Sequence, residues 1–133
     1  KSEGGATPRA KRGSRAAEGD VLARIAHRGI ASLLTVLKTL GPANEGLLSF
    51  PMDGYTLTLD IPLRDDGIVP FLRELNKTIV DAKGRVYLAK DAILEKEDFA
   101  AMYPKLEQFK RIKRLYDPDH RFRSRQSDRL GIT

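Results

Sequence analysis

Between Tyr55 and Ile61 the chain alternates strictly: Tyr55, Leu57, Leu59 and Ile61 point one way, and Thr56, Thr58 and Asp60 the other. A two-residue period is that of a β-strand with one apolar face. Such a strand suits an antiparallel sheet with one side open to water or ligand, and Pro62 ends it. Upstream, the unbroken apolar run Leu33-Leu34-Thr35-Val36-Leu37, within residues 31–40, predicts a buried strand with Lys38 near its exit. Residues 41–46, Gly-Pro-Ala-Asn-Glu-Gly, form a loop.

After Pro62 the period changes. Ile68, Phe71, Leu72, Leu75, Ile79 and Ala82 follow helical spacing, with Asp65 or Asp66 as cap, Pro70 in the first turn and Gly84 as the stop. Val86-Tyr87-Leu88 then reads as a third short strand. A short helix is expected over Glu95–Met102, and another opens at Pro104, with Leu106, Phe109, Ile112 and Leu115 as its apolar stripe and Asp117-Pro118 at its end. Nearer the front, Asp20 caps a short helix whose Val21, Leu22 and Ile25 share a face and which Gly29 ends. The order helix, strand, strand, helix, strand, helices predicts an α+β fold: a small antiparallel sheet with helices packed on one face, half of a ferredoxin-like unit. Residues 1–18, rich in Gly, Ala, Ser, Lys and Arg, read as a disordered or linker tail, and residues 19–133 as the folded domain.

Composition narrows the function classes. At 133 residues the chain is one domain, small for a complete cofactor enzyme, and a start at Lys1 rather than Met suggests an excised or processed piece. With no cysteine, disulfides, thiolate metal sites and a cysteine nucleophile are excluded. No apolar stretch approaches the roughly 20 residues needed to span a bilayer, so the expected location is cytoplasmic, with at most peripheral contact with the inner membrane.

The net charge of +6 raises a rival reading, a stand-alone basic module for nucleic acid or an acidic partner. The excess sits in two places, Lys1 to Arg15 and Lys110 to Arg129, with a nearly balanced middle. Aromatics are few and no nucleic-acid motif interleaves them with the basic groups, so no nucleic-acid partner is expected.

Among candidate chemical groups, Lys90 follows an apolar run and precedes Asp91, which places an ammonium at a sheet edge near a carboxylate. The same arrangement describes an ordinary surface ion pair. Lys38, at a strand end before Gly41-Pro42, equally describes a snorkelling lysine. The polar face of Thr56, Thr58 and Asp60 is either solvated or ligand-facing, and Tyr87 is either a core residue or an aromatic at a pocket rim. His27 and His120 have no second ligand at metal spacing and read as surface residues. There is no Gly-rich phosphate loop, so nothing here holds a pyrophosphate unaided.

In order and spacing, Leu37-Lys38…Gly41-Pro42, Leu48-Ser49-Phe50-Pro51-Met52, Tyr87-Leu88-Ala89-Lys90-Asp91, Met102-Tyr103-Pro104 and Asp117-Pro118…Phe122 resemble the C-terminal part of flavin-linked oxidoreductases of the vanillyl-alcohol-oxidase type, in particular the decaprenylphosphoryl-ribose oxidases and aldonolactone oxidases. The likeness covers residues 25–132. It implies the substrate-side (cap) portion of an FAD-dependent enzyme that oxidises a sugar, sugar-lactone or polyprenyl-phosphosugar alcohol. Its partners would be an N-terminal flavin-binding domain outside this chain, which carries most of the FAD contacts, and a small sugar-type substrate. The resemblance further implies that Lys90 faces flavin and substrate as the catalytic and cofactor-binding residue, and that Lys38, Thr56, Thr58, Asp60 and Tyr87 border the substrate. Mycobacterial-type relatives carry asparagine at the Thr56 position and cysteine at the Thr58 position, so this chain departs from them on that face. A cap portion separated from its partner domain also exposes a sheet edge through which homo-oligomers are expected.

Overall fold

A computed structural model describes residues 8–132, with side chains from Arg15 onward. In order the elements are α1 (Pro8–His27), β1 (Thr35–Leu40), β2 (Gly54–Leu59), α2 (Ile68–Asp81), a 3₁₀ turn (Leu88–Lys90), α3 (Lys96–Met102), α4 (Leu106–Tyr116) and α5 (Arg125–Arg129). The class is α+β, as the pattern predicts, with one antiparallel two-stranded sheet among the described residues. The chain divides into two compact units, residues 1–44 with 51–70, and residues 45–50 with 71–133.

In the first unit α1 is longer than expected. It begins at Pro8, so residues 8–18 of the predicted tail are helical, while residues 1–7 lie outside the described residues. Ala, Arg and Lys are strong helix formers, and proline is tolerated at a first helical position. Asp20 is therefore inside the helix, where it pairs loosely with Arg24 at 3.9 Å. Gly29 does end it, at φ +69°, and Ile30 N closes the last turn on Ile25 O. α1 lies against β2 and buries Val21 and Ile25.

β1 pairs with β2 in the register Thr35↔Leu59, Val36↔Thr58, Leu37↔Leu57, Lys38↔Thr56, Thr39↔Tyr55 and Leu40↔Gly54. The first strand was expected over Leu33–Leu37 and buried. It starts instead at Thr35, and Leu33 is 77% and Leu37 58% exposed. A two-stranded ribbon gives an apolar run no second layer to be buried against on both faces.

The second unit is built around Leu94, Phe99, Met102, Tyr103, Leu106 and Leu130, against which Leu48, Ile79, Val80, Val86, Leu88 and Ile132 pack. Phe99 and Tyr103, one helical turn apart, stack tilted at 5.1 Å. Arg73 and Lys77 of α2 reach Glu95 and the buried Asp98 respectively, each at 2.6 Å. α2 ends with Lys83, not Gly84, in the left-handed region. Gly84 is required for a different reason: a Cβ there would stand 2.9 Å from Ile79 Cγ2. The expected stripe on α4 is only partly used, since Leu106 is buried but Leu115 is 76% exposed.

The third predicted strand is absent. Val86 and Tyr87 pair with no strand, and Leu88 already opens the 3₁₀ turn. The segment's polar backbone groups are met by side chains instead. Val86 N lies 3.3 Å from Met102 Sδ, Tyr103 Oη donates to Val86 O at 2.8 Å, and Gln126 Nε2 donates to Leu88 O at 2.6 Å. Arg85 anchors the segment, donating to Met102 O and Ser49 O while lying over the Tyr103 ring.

Burial pushes the Tyr103 hydroxyl up to about 12, so it remains a donor across the working pH range. Tyr103→Phe is expected to cost about 1 kcal/mol, because Val86 O loses a buried partner. A thermal melt lowered by a few degrees checks it.

Candidate active-site residues

Two groups of the predicted residues emerge, one in each unit. On the ribbon, directly opposed residues share a face. The register therefore puts Lys38 beside Thr56, and Val36 beside Thr58, on the polar side of β2. Lys38 is exposed and both threonines are half-buried. Asp60 lies just past the strand, where its backbone closes the ribbon: Leu33 N donates to Asp60 O at 2.9 Å, and Asp60 N donates to Leu34 O at 3.1 Å. This face offers an ammonium and two hydroxyls over the span of three residues, a pattern suited to hydroxyl or anionic groups of a ligand.

The second group is Tyr87 and Lys90. Phe50 stacks on Tyr87 at 5.0 Å, which fixes the tyrosine ring while leaving it about half exposed. Lys90, also exposed, is the last residue of the 3₁₀ turn, and its N–H donates to Tyr87 O at 3.0 Å. An exposed ammonium and an anchored aromatic ring thus stand three residues apart along the chain.

Asp91, the carboxylate next to Lys90 in sequence, is engaged by Arg129. It turns inward, its side chain 1% exposed, and Arg129 Nη2 donates to its Oδ2 at 2.7 Å. Its Oδ1 accepts from Ile93 N at 2.9 Å and Leu94 N at 2.7 Å, an Asx-type turn that feeds Leu94 into the core. Burial works against the charged carboxyl. The Arg129 hydrogen bond and the two backbone N–H groups outweigh it and hold Asp91 below its ordinary value of 3.8. Arg129 also donates to Leu94 O.

The closing Asp117-Pro118 is a similar clamp. Asp117 accepts from Lys113 Nζ at 2.5 Å, Arg121 N at 2.7 Å and Phe122 N at 3.2 Å, and the lysine bond foremost lowers its carboxyl. His27 is exposed on α1. His120 sits in the Asp117 turn at φ +52°.

Sequence reasoning missed the residues that hold this region, Gln126 and Arg129 on α5. A five-residue helix carries no periodicity. Its one local signal is Ser124, whose side chain accepts from Ser127 N at 3.0 Å while Ser127 Oγ accepts from Ser124 N at 2.8 Å, a reciprocal cap.

A family profile described as D-arabinono-1,4-lactone oxidase matches residues 58–130. The chain is 38% identical over 112 residues to the decaprenylphosphoryl-beta-D-ribose oxidase of Mycolicibacterium smegmatis, a match covering 84% of this chain and 24% of that protein. It is also 38% identical over 109 residues to a Streptomyces coelicolor protein described as the uncharacterized protein in the mprA 5′ region, covering 82% of this chain and 30% of the other. The chain thus spans about a quarter to a third of the length of these relatives.

Proposed function

Because the chain belongs to the D-arabinono-1,4-lactone oxidase family, we propose that it is the C-terminal, substrate-side portion of an FAD-linked oxidase acting on a secondary alcohol of a sugar, sugar lactone or polyprenyl-phosphosugar. The observation that carries this reading is the position of Lys90: it lies inside the matched stretch, exposed, at the end of a turn whose flanking residues are tied down.

FAD, bound mainly by a flavin-binding part outside these residues, supplies the hydride acceptor. This chain's residues supply charge and orientation. The Lys90 ammonium would offset the negative charge that the flavin ring takes on when it accepts hydride, and a charge fixed in advance costs no reorganisation at that moment. The anchored Tyr87 ring gives a rigid apolar surface with a hydroxyl at its tip, suited to a sugar ring. Lys38, Thr56 and Thr58, aligned on one ribbon face, bind sugar hydroxyls or a phosphate, and Asp60 accepts from sugar hydroxyls.

The test is anaerobic mixing of the full-length flavoprotein with aldonolactones, free pentoses and a polyprenyl-phosphopentose, following the visible flavin band. Bleaching by at least one sugar class is expected. Retained flavin that no sugar alcohol bleaches would overturn the reading. The 133-residue chain alone, passed through gel filtration after incubation with FAD, is expected to emerge colourless.

A further inference from the structure

Lys90 owes its place to a turn that is held from the far end of the chain. Leu88–Lys90 is a single 3₁₀ turn, and such turns have poor hydrogen-bond geometry and little stability of their own. Its backbone bonds are Lys90 N to Tyr87 O at 3.0 Å and a long one, Asp91 N to Leu88 O at 3.4 Å. Two side chains of α5 supply the rest. Gln126 Nε2 donates to Leu88 O at 2.6 Å and also lies 3.4 Å from Asp91 Oδ2. Arg129 Nη2 donates to the same Asp91 oxygen at 2.7 Å.

Residues three apart on a helix share a face. One face of α5 therefore grips the residue at the start of the turn and the residue just after Lys90. α5 is itself fixed, by the Ser124–Ser127 cap at its start and by the fully buried Leu130 at its end.

We infer that Gln126, supported by Arg129, is a positioning residue for Lys90: its amide fixes the turn so that the ammonium reaches the reacting centre already aimed. The inference rests on the proposed role of Lys90. It goes beyond that role in assigning to α5 a part in the rate of the reaction as well as in the fold. A merely structural brace would lower the melting temperature and leave the kinetics of the folded enzyme alone. A positioning residue slows the chemical step at nearly unchanged substrate affinity and acts only through Lys90.

Gln126→Met keeps length and volume while removing the donor. In the full-length, flavin-loaded enzyme, the single variants Gln126→Met and Lys90→Met and their double variant are compared by stopped-flow flavin reduction over a range of sugar concentrations. Gln126→Met is expected to slow reduction by about 10- to 100-fold, the order of loss that follows a misplacement near 1 Å. The half-saturating sugar concentration should stay within about threefold, as expected when only the chemical step is touched. On the Lys90→Met background, Gln126→Met should cost less than about twofold more, because residues acting as a unit are not additive.

A wild-type rate for Gln126→Met, or its full loss repeated on the Lys90→Met background, overturns the inference and leaves the proposed function standing. A wild-type rate for Lys90→Met removes Lys90 from the site and overturns the inference together with the role proposed for Lys90, while sugar-driven reduction leaves the oxidase reading standing. If Gln126→Met does not retain flavin, Arg129→Lys, which keeps the charge opposite Asp91 but loses the fork, takes its place in the same cycle and decides by the same outcomes.

Discussion

Arg129→Met is expected to destabilise the protein by about 3–5 kcal/mol, the usual cost of stranding one member of a buried ion pair. The reason is the asymmetry of the pair. The Asp91 side chain is 1% exposed, whereas Arg129 keeps 28% of its side chain at the surface. Removing the guanidinium leaves a buried carboxylate supported only by two backbone N–H groups and the Gln126 amide, and strips Leu94 O of a donor. The exposed pair Arg121–Asp119, at 3.5 Å, is the contrast: Arg121→Met should change stability by less than about 1 kcal/mol. Urea denaturation followed by circular dichroism measures both. A loss below about 1 kcal/mol for Arg129→Met would mean that Asp91 reaches water in the variant.

The same pair sets an acid dependence whose sign follows from the depressed Asp91 carboxyl. A carboxyl held lower in the folded than in the unfolded chain contributes stability that is complete above the unfolded value, near 3.8. That stability is lost as pH falls from there through the folded value. Asp117, lowered first by Lys113, acts in the same direction. Wild-type stability should therefore fall below about pH 4, and Arg129→Met should show a shallower fall, because the strongest of the contacts that together outweigh burial at Asp91 is gone.

What could be read in the sequence was whatever depends on near neighbours. The alternation over Tyr55–Ile61 located β2, and the three-to-four spacing from Ile68 to Ile79 located α2, because in each the period is set by backbone geometry alone. Val86-Tyr87-Leu88 misled because an apolar run does not say who will satisfy its backbone. The partners, Met102, Tyr103 and Gln126, are 16 to 38 residues away. The run Leu33–Leu37 misled for a related reason: it predicts burial, and burial needs a covering layer that a two-stranded ribbon does not provide.

At the candidate site, the register that seats Lys38 beside Thr56 turned a list of polar residues into one face. Lys90 is exposed, as a residue at the end of its segment would be, but the adjacent carboxylate is held by another residue. Asp91 is adjacent in sequence, yet its charge belongs to Arg129, 38 residues on. No local pattern distinguishes Arg129 from the other arginines of the basic C-terminal segment.

Lys90→Met separates chemistry from folding, because Lys90 lies outside the core that holds its turn. Methionine keeps the length of the stem and removes the charge. Lys90 is exposed, and its turn is fixed through other atoms, by Gln126 at Leu88 O and by Arg129 at the Asp91 carboxylate. Stability should therefore stay within about 0.5 kcal/mol of wild type, the range for surface substitutions. The rate of flavin reduction by the sugar in the full-length enzyme should fall by about 10²- to 10³-fold, the typical loss when a preorganised electrostatic contact to developing charge is removed.

Lys38→Met provides the internal comparison. Lys38 stands on the ribbon face with Thr56, and in its proposed role it holds the substrate in ground and transition state alike. Losing such uniform binding raises KM and leaves kcat nearly unchanged. The two lysines are thus expected to fail in different parameters, Lys90→Met in the reduction rate at saturating sugar and Lys38→Met in the concentration needed to saturate. If both fail in KM alone, Lys90 binds substrate without assisting its oxidation, and the electrostatic role proposed for it is wrong.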